Sequence, residues 1–402
     1  VSGDAVEVAM GGSGAAVVPG ALGVLTDGMT RGLHPGALLY VSIEGVPVVD
    51  VAVGEARVGT PMTPDSMITW FSMTKPSVAI AIGQQWERGR LDLDDPVVRH
   101  IAEFGVYGKD SITLRHLLTH TAGIRGGDAV SSTATGDAYW NEIVAGICAV
   151  ERETNWVPGA RAGYHLSCGM TVLAEVVRRL DGRRFETYVR EEIFEPLGMT
   201  DCWIGMPPEM VARYGERLGT MHSTTSDTAV ALEAIDTVEA LGRCQPGGGG
   251  RGPVRQLGRL YEALLGHGEL GGARILGPQT VEAMTARHRV GLYDETFHAV
   301  CDWGLGFAID SFAMGRHSSR RAFGHGGALS AVSLADPEHR LVVVVQTNGM
   351  CGSDDHYRRL DAVTTALYED LRLVPPGAPG RDKPFPSTEI AAPTTDRSSS
   401  AP

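Results

Sequence analysis

The chain has 402 residues, 43% hydrophobic and 21% charged, which is enough to bury a large core in one domain or two interleaved lobes. Thirty-five basic against 48 acidic residues give a net charge of −13. That balance excludes a sequence-independent grip on nucleic acid phosphates, which needs clustered Lys and Arg, and no apolar run reaches the roughly 20 residues of a membrane span.

In chain order, residues 1–20 are Gly- and Ala-rich and are expected to be loose. Asp4 and Glu7 stand where a secretory leader carries positive charge, and Pro19 interrupts the apolar stretch, so a cytoplasmic protein is expected. Residues 37–54, ALLYVSIEGVPVVDVAVG, are two β-branched runs around Glu44-Gly45, a hairpin signal. From Ser72, SMTKPSVAIAIGQQWERG reads as a helix, with Pro76 early enough to be tolerated. Residues 170–180 and 255–265 carry apolar side chains at amphipathic helical spacing. Residues 328–349 give two strands around Asp336-Pro337, and helical spacing follows to residue 371. The Pro- and Ser-rich tail, 374–402, reads as disordered.

The expected fold is therefore α+β. An antiparallel sheet is built from both ends of the chain with flanking helices, as an α/β lobe of residues 21–80 and 300–373. A mainly helical lobe, 81–299, is inserted between them. Cys148, Cys168, Cys202, Cys244, Cys301 and Cys351 are scattered without a CxxC pair, which reads as reduced thiols.

Of 35 basic residues only three, Lys75, Lys109 and Lys383, are lysine. Arginine stays protonated, whereas a buried lysine can lose its proton and act as a base. Ser72 and Lys75, three apart at a helix start, share one face. There the positive end of the helix dipole favours a developing alkoxide. A Ser-x-x-Lys arises by chance in roughly one chain in six of this make-up, so its context has to decide.

That context is a series of segments in order: SMTKPSVAIAIGQQWERGRLDLDDPV from Ser72, ITLRHLLTHTAGI (112–124), WVPGARAGY (156–164), IFEPLGMTDCW (193–203), WGLGFAI (303–309) and FGHGGALSAVSLADP (323–337). Together they resemble the serine β-lactamase and D-alanyl-D-alanine peptidase superfamily, in its class C-like branch with esterases and acyltransferases. The resemblance implies a β-lactamase-like fold, with Ser72 as nucleophile and Lys75 as its base partner. Tyr164 stands in the place of the tyrosine of Tyr-x-Asn, where a neighbouring ammonium would hold it as a phenolate. His325, Gly326 and Gly327 align with the third motif and would bind substrate. The backbone N–H groups of Ser72 and Ala328 would form the oxyanion hole.

Two places depart from the pattern. Leu166 replaces the asparagine that would hydrogen-bond an acylamino side chain, which points away from penicillin and peptidoglycan substrates. Arg251-Gly252 stands where the branch has a small polar pair, within a glycine-rich run, 244–257, that reads as a flexible loop. The GxGxxG formed by Gly247, Gly249 and Gly252 follows no strand and is not a dinucleotide site. His116 and His120 have zinc-like spacing without an HExxH glutamate, so no metal is expected.

The implied activity is acyl transfer through a Ser72 acyl-enzyme by a transacylase or esterase. A small-molecule acyl donor would react with water or with an amine or alcohol acceptor, as in secondary metabolite or antibiotic biosynthesis. No cofactor is expected. The alternatives are a β-lactamase or D-alanyl-D-alanine peptidase, and a catalytically silent binding relative.

Overall fold

The computed structural model describes residues 10–226 and 228–383. A nine-stranded antiparallel sheet organises it. Its strands are β1 (Met10–Ser13), β2 (Gly36–Ile43), β3 (Val46–Arg57), β4 (Thr60–Pro61), β5 (Asp302–Trp303), β6 (Ala308–Ile309), β7 (Phe323–Gly327), β8 (Ala331–Asp336) and β9 (Leu341–Thr347). The order is β1-β3-β2-β9-β8-β7-β6-β5, with β4 beside β3. Leu341 opposite Ile43 and Thr347 opposite Ala37 join the two ends of the chain at the sheet's centre. Glu44 and Gly45 close the β2–β3 hairpin with φ of 55° and 75°, the left-handed pair that a tight two-residue turn requires.

The central strands are largely apolar because both faces are covered. Successive side chains point to opposite faces. Leu38, Tyr40, Val342 and Val344 join one core, and Leu39, Val41, Val343 and Val345 join the other. The second core is closed by helices α1 (Pro19–Thr30) and, from the far end of the chain, α6 (Ser353–Asp370), which supply Leu22, Leu25, Leu360, Val363 and Leu367. The first core lies under α2 (Lys75–Glu87), α3 (Gly136–Ala149), α4 (Cys168–Asp181) and α5 (Val254–Leu265). Helix α5, within the inserted lobe by sequence, lies against the sheet. Gly258 makes this approach possible, since a Cβ there would sit 2.4 Å from the Tyr40 ring, and Tyr40 Oη donates to Glu262 at 2.5 Å.

Three sequence expectations are corrected. Residues 10–20 are not loose: β1 pairs with β3, Met10 opposite Val53, and α1 begins at Pro19. A glycine-rich strand needs only its backbone to pair. The 244–257 run is not a flexible loop either, because Gly250–Gly252 is a buried strand between Ile68–Thr69 and Trp203–Ile204. Arg251 is anchored there to Asp236 Oδ1 at 2.6 Å and to the carbonyls of Met67 and Gly219. The tail expected to be disordered from Val374 instead packs on the domain as far as Lys383, while residues 1–9 and 384–402 lie outside the described residues.

All six cysteines are unpaired. Among the described residues no helix is long and apolar enough to cross a membrane, and no group of three or more His, Cys, Asp or Glu is placed to hold a metal ion.

Candidate active site

Ser72 lies in a 3-10 turn, Phe71–Thr74, that runs into α2 at Lys75. The residue before it, Phe71, has φ of 48°, a left-handed conformation that a bulky side chain adopts only under strain. Neighbouring contacts hold that strain in place. Thr74 Oγ1 donates to the Phe71 carbonyl at 2.7 Å and accepts from the Gly250 N–H at 2.8 Å. Trp70 N–H donates to the Gly250 carbonyl, and the Trp70 indole to that of Gly252. The strand Gly250–Gly252 is thus the brace of the turn that carries Ser72.

Lys75 is fully buried. Its Nζ lies 2.7 Å from Ser72 Oγ and donates to the carbonyls of Leu166 and Gly247, both at 2.7 Å. Burial lowers its pKa to about 7, with the charge of Asp128 opposing the shift. A neutral amine has two N–H donors and one lone pair. The two carbonyls take the donors, and the lone pair is left for the Ser72 hydroxyl proton.

Tyr164 is buried too, with its ring centroid 5.0 Å from Lys75 Nζ, and it lines the same cavity as Ser72. Burial pushes this phenol well above its ordinary range; the Ser72 contact opposes that only in part, and Asp128 and Asp294 reinforce it. Burial thus disfavours the phenolate expected from sequence, because losing the proton would place an anion where it is poorly solvated.

Two carboxylates that the sequence reading did not single out hold this arrangement. Asp128 accepts the N–H groups of Leu166, Ser167 and Cys168, each at 2.7 Å. It thereby fixes both the Leu166 carbonyl that faces Lys75 and the start of α4. Asp294 Oδ1 accepts the Tyr164 N–H at 3.1 Å, and Asp294 pairs with Arg289 at 3.0 Å with both side chains buried. Their support of the site is not visible in local sequence, since Asp128 acts on backbone 38 to 40 residues away and Asp294 reaches Tyr164 across 130.

His325 is buried at β7, with Nδ1 2.8 Å from the Gly326 carbonyl. Burial, and then Lys75, push its pKa down to about 3, so it is neutral at pH 7. His120 packs its ring 4.5 Å from Tyr164, and its Nδ1 accepts the His165 N–H. His116 instead caps a short helix with Thr113. The zinc-like spacing thus serves packing and capping.

A cavity of about 390 Å³ brings together Ser72, Tyr164, Leu166, His325, Gly326, Gly327 and Ala328. Lys75 sits behind it, reached through Ser72. Its remaining wall combines aromatic and aliphatic side chains, including Phe297, Trp303, Phe312 and Leu329, with charged ones, among them Asp302, Asp310 and Arg320.

The beta-lactamase family model matches residues 23–367. The esterase/beta-lactamase LipL of Mycobacterium tuberculosis is 27% identical over 335 residues, which are 75% of this chain and 74% of that protein. A crystal structure of a family VIII carboxylesterase superposes with a TM-score of 0.77 at 27% identity, covering 91% of this chain and all of the other. A penicillin-binding protein homologue from Caulobacter crescentus superposes with a TM-score of 0.76 at 28% identity, covering 90% and 100%. With a family match over most of its length and this fold, the chain belongs to the beta-lactamase family, as an enzyme of the serine hydrolase type.

Proposed function

We propose that the protein transfers an acyl group from a small ester or amide through a Ser72 acyl-enzyme, to water or to an alcohol or amine acceptor, as an esterase or transacylase. The observation that carries this reading is the Lys75 amine, 2.7 Å from Ser72 Oγ and bonded on its other side to the carbonyls of Leu166 and Gly247.

In the first step Ser72 Oγ attacks the substrate carbonyl while its proton passes to Lys75 Nζ. The oxygen that gains charge is stabilised by the N–H groups of Ser72 and Ala328. As the bond to the leaving group breaks, that group takes a proton from the Tyr164 hydroxyl, which is replenished from Lys75. In the second step the acceptor loses its proton along the same route and attacks the acyl carbonyl. Ser72 departs reprotonated, so protons balance over the cycle.

One feature disfavours a β-lactam or D-alanyl peptide: Leu166, half exposed at the cavity, offers no amide to an acylamino group.

Labelling with a fluorophosphonate, followed by assays with p-nitrophenyl esters and nitrocefin, tests this. The expected result is a label on Ser72 and ester turnover far faster than nitrocefin turnover. Nitrocefin turnover at a comparable rate favours the β-lactamase reading, and an unlabelled Ser72 favours a silent binding relative.

A further inference from the structure

In a chain that otherwise uses arginine, all three lysines are withdrawn from solvent. Lys75 serves Ser72, and Lys109 Nζ donates to the Cys148 carbonyl at 2.9 Å and to that of Val150. The third, Lys383, lies ten residues beyond Leu373, on a segment outside any helix or strand. Its own side chain is 9% exposed. Nζ stands 2.7 Å from Asp310 Oδ1 and donates to Ser318 Oγ at 2.8 Å.

Arg381 grips the same carboxylate with two bonds of 2.6 Å, one to each oxygen, and its backbone N–H donates to the Arg316 carbonyl at 3.0 Å. Burial alone would raise the Asp310 carboxyl, yet the hydrogen bonds from Arg381 and Lys383 hold it below the usual carboxylate range. Asp310 itself leaves β6 with φ of 49°, so the carboxylate is presented from a constrained turn. The segment 374–383, VPPGAPGRDK, has two adjacent prolines that remove backbone donors, and it forms no helix or strand. Gly377 N–H donates to Glu369 Oε1 at 2.8 Å near its start, and the clamp fixes its far end.

What the clamp holds in place is part of the active-site wall. Arg381, Asp382 and Lys383 line the same cavity as Ser72, beside Ser311 and Phe312. We propose that residues 374–383 form a strap, fastened by Arg381 and Lys383 to Asp310, that sets the length of the apolar group accepted by the Ser72 cavity. The strap is then a specificity determinant that takes no part in proton transfer. Its significance for substrates rests on the acyl-transfer reading, but its effect on the cavity does not.

Straight-chain 2-alkanones test it, because they match the shape of an ester and cannot be cleaved. Binding is read from quenching of tryptophan fluorescence, since Trp303 lines the cavity. In the wild-type protein each added methylene tightens binding roughly fourfold until the cavity is full, after which affinity falls. The full-length Arg381→Ala/Lys383→Ala variant, and independently Asp310→Asn, are expected to move that cut-off to longer ketones. A ketone just beyond the wild-type limit should bind at least about tenfold tighter to them, with 2-butanone affinity little changed. Thermal melting identifies which variants are folded, and Asp310→Asn leaves the strap's own sequence intact. An unchanged cut-off in a folded variant, or equal weakening for every chain length, overturns the proposal. Because no turnover is involved, a protein that fails the fluorophosphonate test yet shows the shifted cut-off retains the strap and loses only the acyl-transfer reading.

Discussion

Lys75 Nζ lies 5.0 Å from the centre of the Tyr164 ring, and burial moves the proton affinities of the two groups in opposite directions. An amine is charged when protonated and a phenol when deprotonated, so one dry environment favours the neutral form of both. On the acyl-transfer reading proposed above, Lys75 serves as the base that accepts the Ser72 proton, and Tyr164 as the acid that hands a proton on to the leaving group.

Lys75→Arg keeps a positive charge and removes the base, since a guanidinium does not give up its proton. Acylation is expected to fall by at least about 10³, as for other members of a catalytic unit. Burst kinetics with a p-nitrophenyl ester measure it, and a variant within tenfold of wild type contradicts base catalysis by Lys75.

Asp128→Asn loses a negative charge near Lys75 and presents an amide N–H to backbone donors that now find a carboxylate. Because Asp128 raises the Lys75 pKa, its removal is expected to shift the rising limb of kcat/KM to lower pH. Misplacement of the Leu166 carbonyl should lower kcat by about 10- to 100-fold. A purely structural role would lower kcat and leave the limb in place; the pH profile separates the two.

Arg289→Ala leaves the buried Asp294 without its partner, under the residue that carries Tyr164. Breaking such a pair costs about 3–5 kcal/mol. Urea unfolding should show this loss, and a change below about 1 kcal/mol would mean that water reaches Asp294.

The part of the site legible in the sequence is the local part. Ser72 and Lys75 meet because a three-residue step on a helical turn puts them together, and the β2–β3 and β8–β9 runs declare themselves by β-branched composition. The supports were hidden because they are remote and use backbone atoms: the Gly247 carbonyl reaches Lys75 across 172 residues of sequence. Gly247 also shows why composition misleads. A Cβ there would sit 2.7 Å from Ser167 Cα, so glycine permits close packing at a place that reads as flexibility. The protonation of Tyr164 was illegible for a similar reason, since a motif records the neighbouring amine but not the loss of water around both groups.

The pH dependence of the acylation rate of Ser72, measured by stopped flow in the wild-type and Tyr164→Phe proteins, tests the role of Lys75 most directly. A neutral amine accumulates as pH rises, so the rate should climb about tenfold per pH unit below 7 and level off above it. Base catalysis by Lys75 predicts that Tyr164→Phe is slower but keeps a rising limb near 7. If that limb disappears with the phenol, the base is Tyr164 and not Lys75.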